Sequence, residues 1–180
     1  MARLVYGMMQ SLDGYVDDVE GKLVMPAPDD EAFVHFTDQV RSVVACLYGR
    51  RIYEVMRYWE EERPEYSDLE REFGRVWRET PKYVVSRTLD AVGPNATLVK
   101  GDLGTFVRRL KDELEGDIDV AGPGLAGSLT ALGLIDEYRL YLRPFVLGEG
   151  KPYFAGPRPP LKLVGVDRIG PEAVRLTYRP

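Results

Sequence analysis

One cysteine and one histidine are all that the 180 residues offer of the side chains that most often hold zinc. Cys46 alone cannot close an internal disulfide, and with His35 it cannot complete a His/Cys zinc site, so metal-free chemistry is expected. No apolar stretch approaches the ~18 residues of a membrane span, and Met1–Met9 lacks a long apolar region before Asp13 interrupts it. The expectation is a cytoplasmic protein with no membrane partner. Cations are also in the minority: 24 Lys+Arg against 29 Asp+Glu leave a net charge of −5. That balance argues against a grip on nucleic-acid backbone, yet leaves room for local arginines facing one small anion. Internal repeats, low-complexity tracts and interdomain linkers are missing too. At ~150 residues per domain, the length suits a single domain over residues 1–180, short of the ~250 usual for a TIM barrel.

What is present alternates in period. Leu4, Val5, Tyr6, Met8 and Met9 form an apolar run that empties into the turn Ser11-Leu12-Asp13-Gly14, as a buried first strand would. Phe33, Phe36 and Val40 then recur at helical spacing behind Asp29, Asp30 and Glu31. Val43–Tyr48 is a continuous apolar run suited to a central strand, ending in the cationic turn Gly49-Arg50-Arg51. Ser67 and Glu70 make a capping box before Leu69, Phe73, Val76 and Trp77. Tyr83–Val85 runs into Ser86-Arg87-Thr88, with a further strand over Thr97–Lys100. Phe106, Val107, Leu110 and Leu114 mark a helix, Ile118–Ala121 a strand, and Leu125, Leu129 and Leu132 another helix. The last third changes to a two-residue period at Tyr138–Leu142 and Val174–Tyr178, which predicts long antiparallel strands.

This order predicts an α/β fold with a mostly parallel central sheet and antiparallel C-terminal strands. Ligands of such sheets gather at the carboxyl ends of the strands, so the four turns at 11–14, 49–51, 86–88 and 122–127 should share one edge. Gly122-Pro123-Gly124-Leu125-Ala126-Gly127 fits G-x-G-x-x-G after a strand and before a helix, where backbone N–H groups can meet a phosphate. A dinucleotide-binding Rossmann fold would place it after its first strand, with far more chain to follow. A glycine turn easing a tight connection accounts for the motif equally well. Arg50, Arg51, Ser86 and Arg87 suit phosphate oxygens, the 2′-phosphate of NADPH included, and suit solvated surface charge as well.

Together these segments resemble the dihydrofolate reductase-like superfamily, and within it the reductase domain of bacterial riboflavin biosynthesis and its stand-alone relatives. The pieces are Ser11-Leu12-Asp13-Gly14-Tyr15, Leu47-Tyr48-Gly49-Arg50-Arg51 with Tyr53-Glu54, Val85-Ser86-Arg87, Val120-Ala121-Gly122-Pro123-Gly124, and Pro144–Gly150 with Phe154. The resemblance implies a three-layer dihydrofolate reductase-like fold and an NADPH-dependent reductase. Gly49, Arg50 and Arg51 would meet cofactor phosphates, and Ser86 with Arg87 the 2′-phosphate. Gly122, Gly124, Leu125 and Ala126 would line the pyrophosphate. Met8 and Met9 would face the nicotinamide, with Asp13 and Gly14 shaping the covering loop.

For the proton, Asp30 is the positional candidate and Asp13 its competitor, although a first-turn helix acid and a turn-forming aspartate describe them equally. His35 also fits a packed or exposed helix residue, and Cys46 an inert core position. The tryptophan-rich loop and later threonine of folate-binding relatives are missing, as are the His-x-Glu and Cys-x-x-Cys ligands of the riboflavin deaminase module. The substrate expected is a small heterocycle or carbonyl compound, such as 5-amino-6-(5-phosphoribosylamino)uracil. Dihydrofolate reductase activity and a non-catalytic NADP-binding dimeric module are the alternatives. Tyr138, Tyr141 and Phe145 on the late strands suggest a sheet-edge homodimer.

Overall fold

The structure, a computed structural model, describes residues 1–180. In chain order the strands are β1 (Arg3–Gln10), β2 (Tyr15–Asp17), β3 (Ala45–Gly49), β4 (Lys82–Val85), β5 (Ala96–Val99), β6 (Asp117–Ala121), β7 (Glu137–Leu142), β8 (Lys151–Pro152), β9 (Lys162–Ile169) and β10 (Ala173–Arg179). The helices are α1 (Asp30–Ser42), α2 (Arg50–Met56), α3 (Asp68–Glu79), α4 (Leu103–Glu113) and α5 (Pro123–Ala131). Eight strands form one sheet in the order β5-β4-β3-β6-β1-β7-β10-β9, and β2 pairs with β8 apart from it. From β5 to β7 every pairing is parallel, whereas β10 and β9 run antiparallel.

The continuous apolar runs become the middle of this sheet because both of its faces are covered. On one face, Val107 and Leu110 of α4 and Leu125 and Leu129 of α5 pack on Leu4, Leu47, Ile118 and Val120. On the other, Val40 of α1 and Phe73, Val76 and Trp77 of α3 pack on Cys46, Tyr48, Val84 and Ala121. Each of these large side chains contributes roughly 2–3 kcal/mol by leaving water. The result is the expected three-layer α/β arrangement. No helix is long and apolar enough to cross a membrane.

The helix starts follow local chemistry. Asp29 caps α1 by accepting from the Ala32 N–H at 2.9 Å, and Asp102 caps α4 through Thr105 at 2.7 Å. Ser67 and Glu70 close their capping box on α3. Gly122 holds φ at +109°, a region costly for any side chain, so that the chain turns sharply from β6 into α5, with Pro123 in the first turn.

Three expectations need correction. The segment Arg50-Arg51 is not a turn but the start of α2, because the spacing Ile52–Met56 continues helically after Gly49. The late region holds a further strand, β9, whose exposed valines hid its alternation. Tyr138 and Tyr141 are 2% and 1% exposed and belong to the core, since β7 lies between β1 and β10 and is not an edge.

Candidate active site

Parallel pairing of β1, β6, β3 and β4 brings their carboxyl ends to one edge, so the four turns singled out in the sequence converge. The Gly49 and Gly122 backbones approach closely: a Cβ on Gly122 would lie 3.6 Å from the Gly49 nitrogen, and one on Gly49 would lie 3.6 Å from the Leu125 Cβ. A Cβ on Gly124 would make ordinary contact with the Lys151 Nζ, at 3.8 Å, so that ammonium stands beside the first turn of α5. Arg51 packs against Gly21, and both Arg51 and Lys151 act on the Asp17 carboxyl, which burial raises and these two cations lower. Arg50 donates to Glu54 Oε1 and to Thr88 Oγ1, each at 2.8 Å, which ties α2 to the 86–88 turn and its exposed Arg87. The outcome is a glycine-lined cradle with cations on two sides, suited to a polyanion.

Beside the cradle lies a cleft of about 400 Å³, bounded by Met8 and Met9 of β1, Tyr48 of β3, Ala121 of β6 and the aromatic wall Phe33, Phe36, Tyr58, Trp59 and Phe73. Met8 stands at the junction, its sulfur accepting the Gly122 N–H at 3.3 Å. At the floor sits Asp119, in mid-strand on β6. Its Oδ1 accepts from Gln39 Nε2 at 3.0 Å, and the Gln39 amide oxygen in turn accepts from the Tyr141 hydroxyl. His35 Nε2 is 3.3 Å from the same hydroxyl. Burial pushes the Asp119 carboxyl up to about 7, against the opposing pull of the Gln39 amide and the Arg139 charge. The Tyr141 phenol is also raised by burial, and the His35 imidazole is lowered by burial and by Arg175.

The structure places the expected site residues unevenly. Met8 and Met9 line the cleft, and Gly49, Gly122 and Gly124 line the cradle. Leu125 and Ala126 turn their side chains into the core and leave only backbone at the first turn of α5. Ser86 is buried, and its hydroxyl accepts from Leu89 N–H at 3.0 Å and Thr88 N–H at 3.2 Å, so it shapes the turn. Gly14, at φ +91°, tightens the loop after β1. Asp13 fastens that loop to the 147–148 segment by accepting from Leu147 N–H at 3.1 Å and Gly148 N–H at 2.7 Å. The Ser11 hydroxyl and these N–H groups hold its carboxyl below the ordinary value. Asp30 is exposed at the start of α1, outside the cleft lining, and Asp29 performs the capping. Cys46 is fully buried with its thiol pushed up to about 12 by burial.

Asp119, Gln39 and Lys151 carry no expectation from the sequence, and Tyr141 was expected at a sheet edge and not in the cleft. For Asp119 a signal existed: a lone carboxylate inside the apolar run Ile118–Ala121 is costly to bury without a task or a partner.

A family model described as the RibD C-terminal domain matches residues 2–175. The uncharacterized protein YyaP of Bacillus subtilis (strain 168) is 30% identical over 181 residues, covering 98% of this chain and 94% of that one. A diaminohydroxyphosphoribosylaminopyrimidine deaminase/5-amino-6-(5-phosphoribosylamino)uracil reductase of Thermotoga maritima aligns with a TM-score of 0.69 at 14% identity, over 99% of this chain and 56% of that one. Dihydrofolate reductase from Enterococcus faecalis, complexed with NADP(H), aligns with a TM-score of 0.61 at 16% identity, over 98% of this chain and 95% of that one. At these identities the two solved structures speak to the fold, which is dihydrofolate reductase-like.

Proposed function

The chain belongs to the RibD C-terminal domain family, and from that membership and its cleft we propose that it is an NADPH-dependent reductase of a small heterocyclic or carbonyl substrate. The observation that carries this reading is the shared edge: a cationic glycine cradle for a polyanion opens beside an apolar, aromatic-walled cleft for a ring, with Met8 between them. A dinucleotide needs both halves, one for its phosphates and one for a flat ring set against a substrate.

The residues fit such a cofactor. The first turn of α5 at Gly124, with the Lys151 ammonium beside it, would receive the pyrophosphate, and the N–H groups at the start of α5 would point at it. Arg50, tied to Thr88, and the exposed Arg87 would hold the 2′-phosphate. When bound, the cofactor supplies a hydride, and the rest is positioning. Met8 and Met9 set the depth of the ring, the aromatic wall excludes water, and Asp119 is the carboxyl in the lining that can hold a proton near neutrality. In this reading Asp119, and neither Asp30 nor Asp13, is the proton donor. The ribosylamino-pyrimidine ring named for the Thermotoga protein is of the size and shape class that this wall accepts.

Thermal unfolding with NADPH and NADH tests the reading. At 100 times its dissociation constant a ligand adds about 2.7 kcal/mol to native stability. NADPH should stabilise strongly, NADH weakly, and Arg50→Ala should erase the difference. Equal responses would remove the 2′-phosphate site, and no response to either would remove the cofactor.

A further inference from the structure

We propose that the substrate half of the cleft selects a ring without phosphate or carboxylate, oriented by a hydrogen bond to Asp119. This rests on the reductase reading above and narrows it. Sixteen of the twenty residues lining the cleft are apolar, and none is lysine or arginine. Asp119 is the sole carboxylate among them. Its Oδ1 is engaged by Gln39, whereas Oδ2 takes no hydrogen bond from the protein. An anionic substituent entering here would leave water, gain no countercharge and share the space with Asp119. A neutral ring loses nothing comparable and gains a partner.

The groups packed around Asp119 support this polarity. Cys46 and Tyr48 face it from β3, Gln39 from α1, and Tyr141 and Arg139 from β7. Arg139 does not serve the cleft: its guanidinium is 2.7 Å from Glu137 and 3.6 Å from Asp117. Arg175 is likewise held by Asp167 at 2.9 Å. Arg143 is fully buried beneath Ala27, whose carbonyl accepts from its Nη2 at 3.2 Å; its Nε and Nη1 have no partner, but it does not line the cleft. With its carboxyl raised to about 7 by burial, Asp119 can donate to a ring carbonyl or accept from a ring N–H at neutral pH. As donor it would pass its proton to the nitrogen or oxygen of a C=N or C=O bond whose carbon takes the hydride of NADPH. That bond would become single, with a bound NADPH supplying the hydride and being oxidised to NADP⁺, and the Asp119 carboxylate would be reprotonated from solvent. The phosphoribosyl compound in the Thermotoga protein's name carries a group that this lining does not meet.

Two matched pairs test the proposal: 5-amino-6-(5-phosphoribosylamino)uracil against its dephosphorylated form, and 7,8-dihydrofolate against 6-methyl-7,8-dihydropterin. Trp59 lines the cleft, so quenching of its emission in the NADP⁺-loaded protein reads binding directly, alongside NADPH oxidation. The anion-free member of each pair should bind at least tenfold tighter. Val55→Lys, adding a cation at the rim, should narrow that gap several-fold, and Asp119→Asn should weaken the anion-free ligands about tenfold while NADPH still stabilises the protein. Equal or tighter binding of the anionic members, or no quenching by any of the four at millimolar concentration, overturns the proposal and leaves the reductase reading standing if NADPH stabilises. Failure of NADPH to bind would sink that reading and, with it, the proposal.

Discussion

Replacing Asp119 by Asn should stabilise the protein, and increasingly so as pH rises. The carboxyl titrates near 3.8 when unfolded and near 7 when folded, because burial between β3, α1 and β7 disfavours its charged form. Between those values the folded state holds the extra proton, so native stability falls as pH climbs from about 4 to about 7 and stays lowered above. At ~1.4 kcal/mol per decade the full effect is about 4 kcal/mol. Asn carries no charge at any pH and can still pair with Gln39 by turning its amide, so it escapes this loss. Urea unfolding of both proteins from pH 4 to 9 isolates the effect, since every other titrating group cancels in the difference. The two should have similar stability near pH 4, and the variant should be favoured by several kcal/mol at pH 8. A difference that does not change with pH would refute the assignment of a buried, proton-holding Asp119. So would a loss of stability in the variant that grows with pH.

Other features make separate demands. A Cβ on Gly156 would lie 2.6 Å from the Gly127 Cα, so Gly156→Ala should cost roughly 1–3 kcal/mol in urea unfolding, and a neutral result would mean that the two backbones are not in contact. Asp13→Ala removes the acceptor for Leu147 and Gly148, so amide exchange at those two positions should accelerate while exchange in β6 stays slow. On β9, which is a free edge, Leu163 and Val166 are 52% and 61% exposed. If the protein forms the sheet-edge homodimer, Leu163→Lys with Val166→Lys should shift its sedimentation to the monomer, and an unchanged dimer would place the interface elsewhere.

Much of the scaffold was written locally. The apolar runs at 43–48 and 118–121 suit strands of a covered sheet, Ser67 and Glu70 announced α3, and the glycines at 122 and 124 announced the sharp turn from β6 into α5. Those signals depend on neighbours within a turn or a pleat, where residue type and conformation are coupled directly. β9 is hard to read in the sequence because its pattern is inverted, with Val164 and Val166 facing solvent while Gly165 and Asp167 are half-buried.

What the residues fixed unaided was the family resemblance, the parallel α/β order and the edge at which the turns meet. Only folding decided which polar groups share the cleft. Asp119 and Gln39 are 80 positions apart, and Gln39 and Tyr141 are 102, and no periodicity couples residues at such separations. It took the packing of α1 across β6 and β7 to set the three side chains in one line and to strip water from the acid. The same packing left Asp30, the acid whose position in the sequence suited a proton donor, outside in solvent.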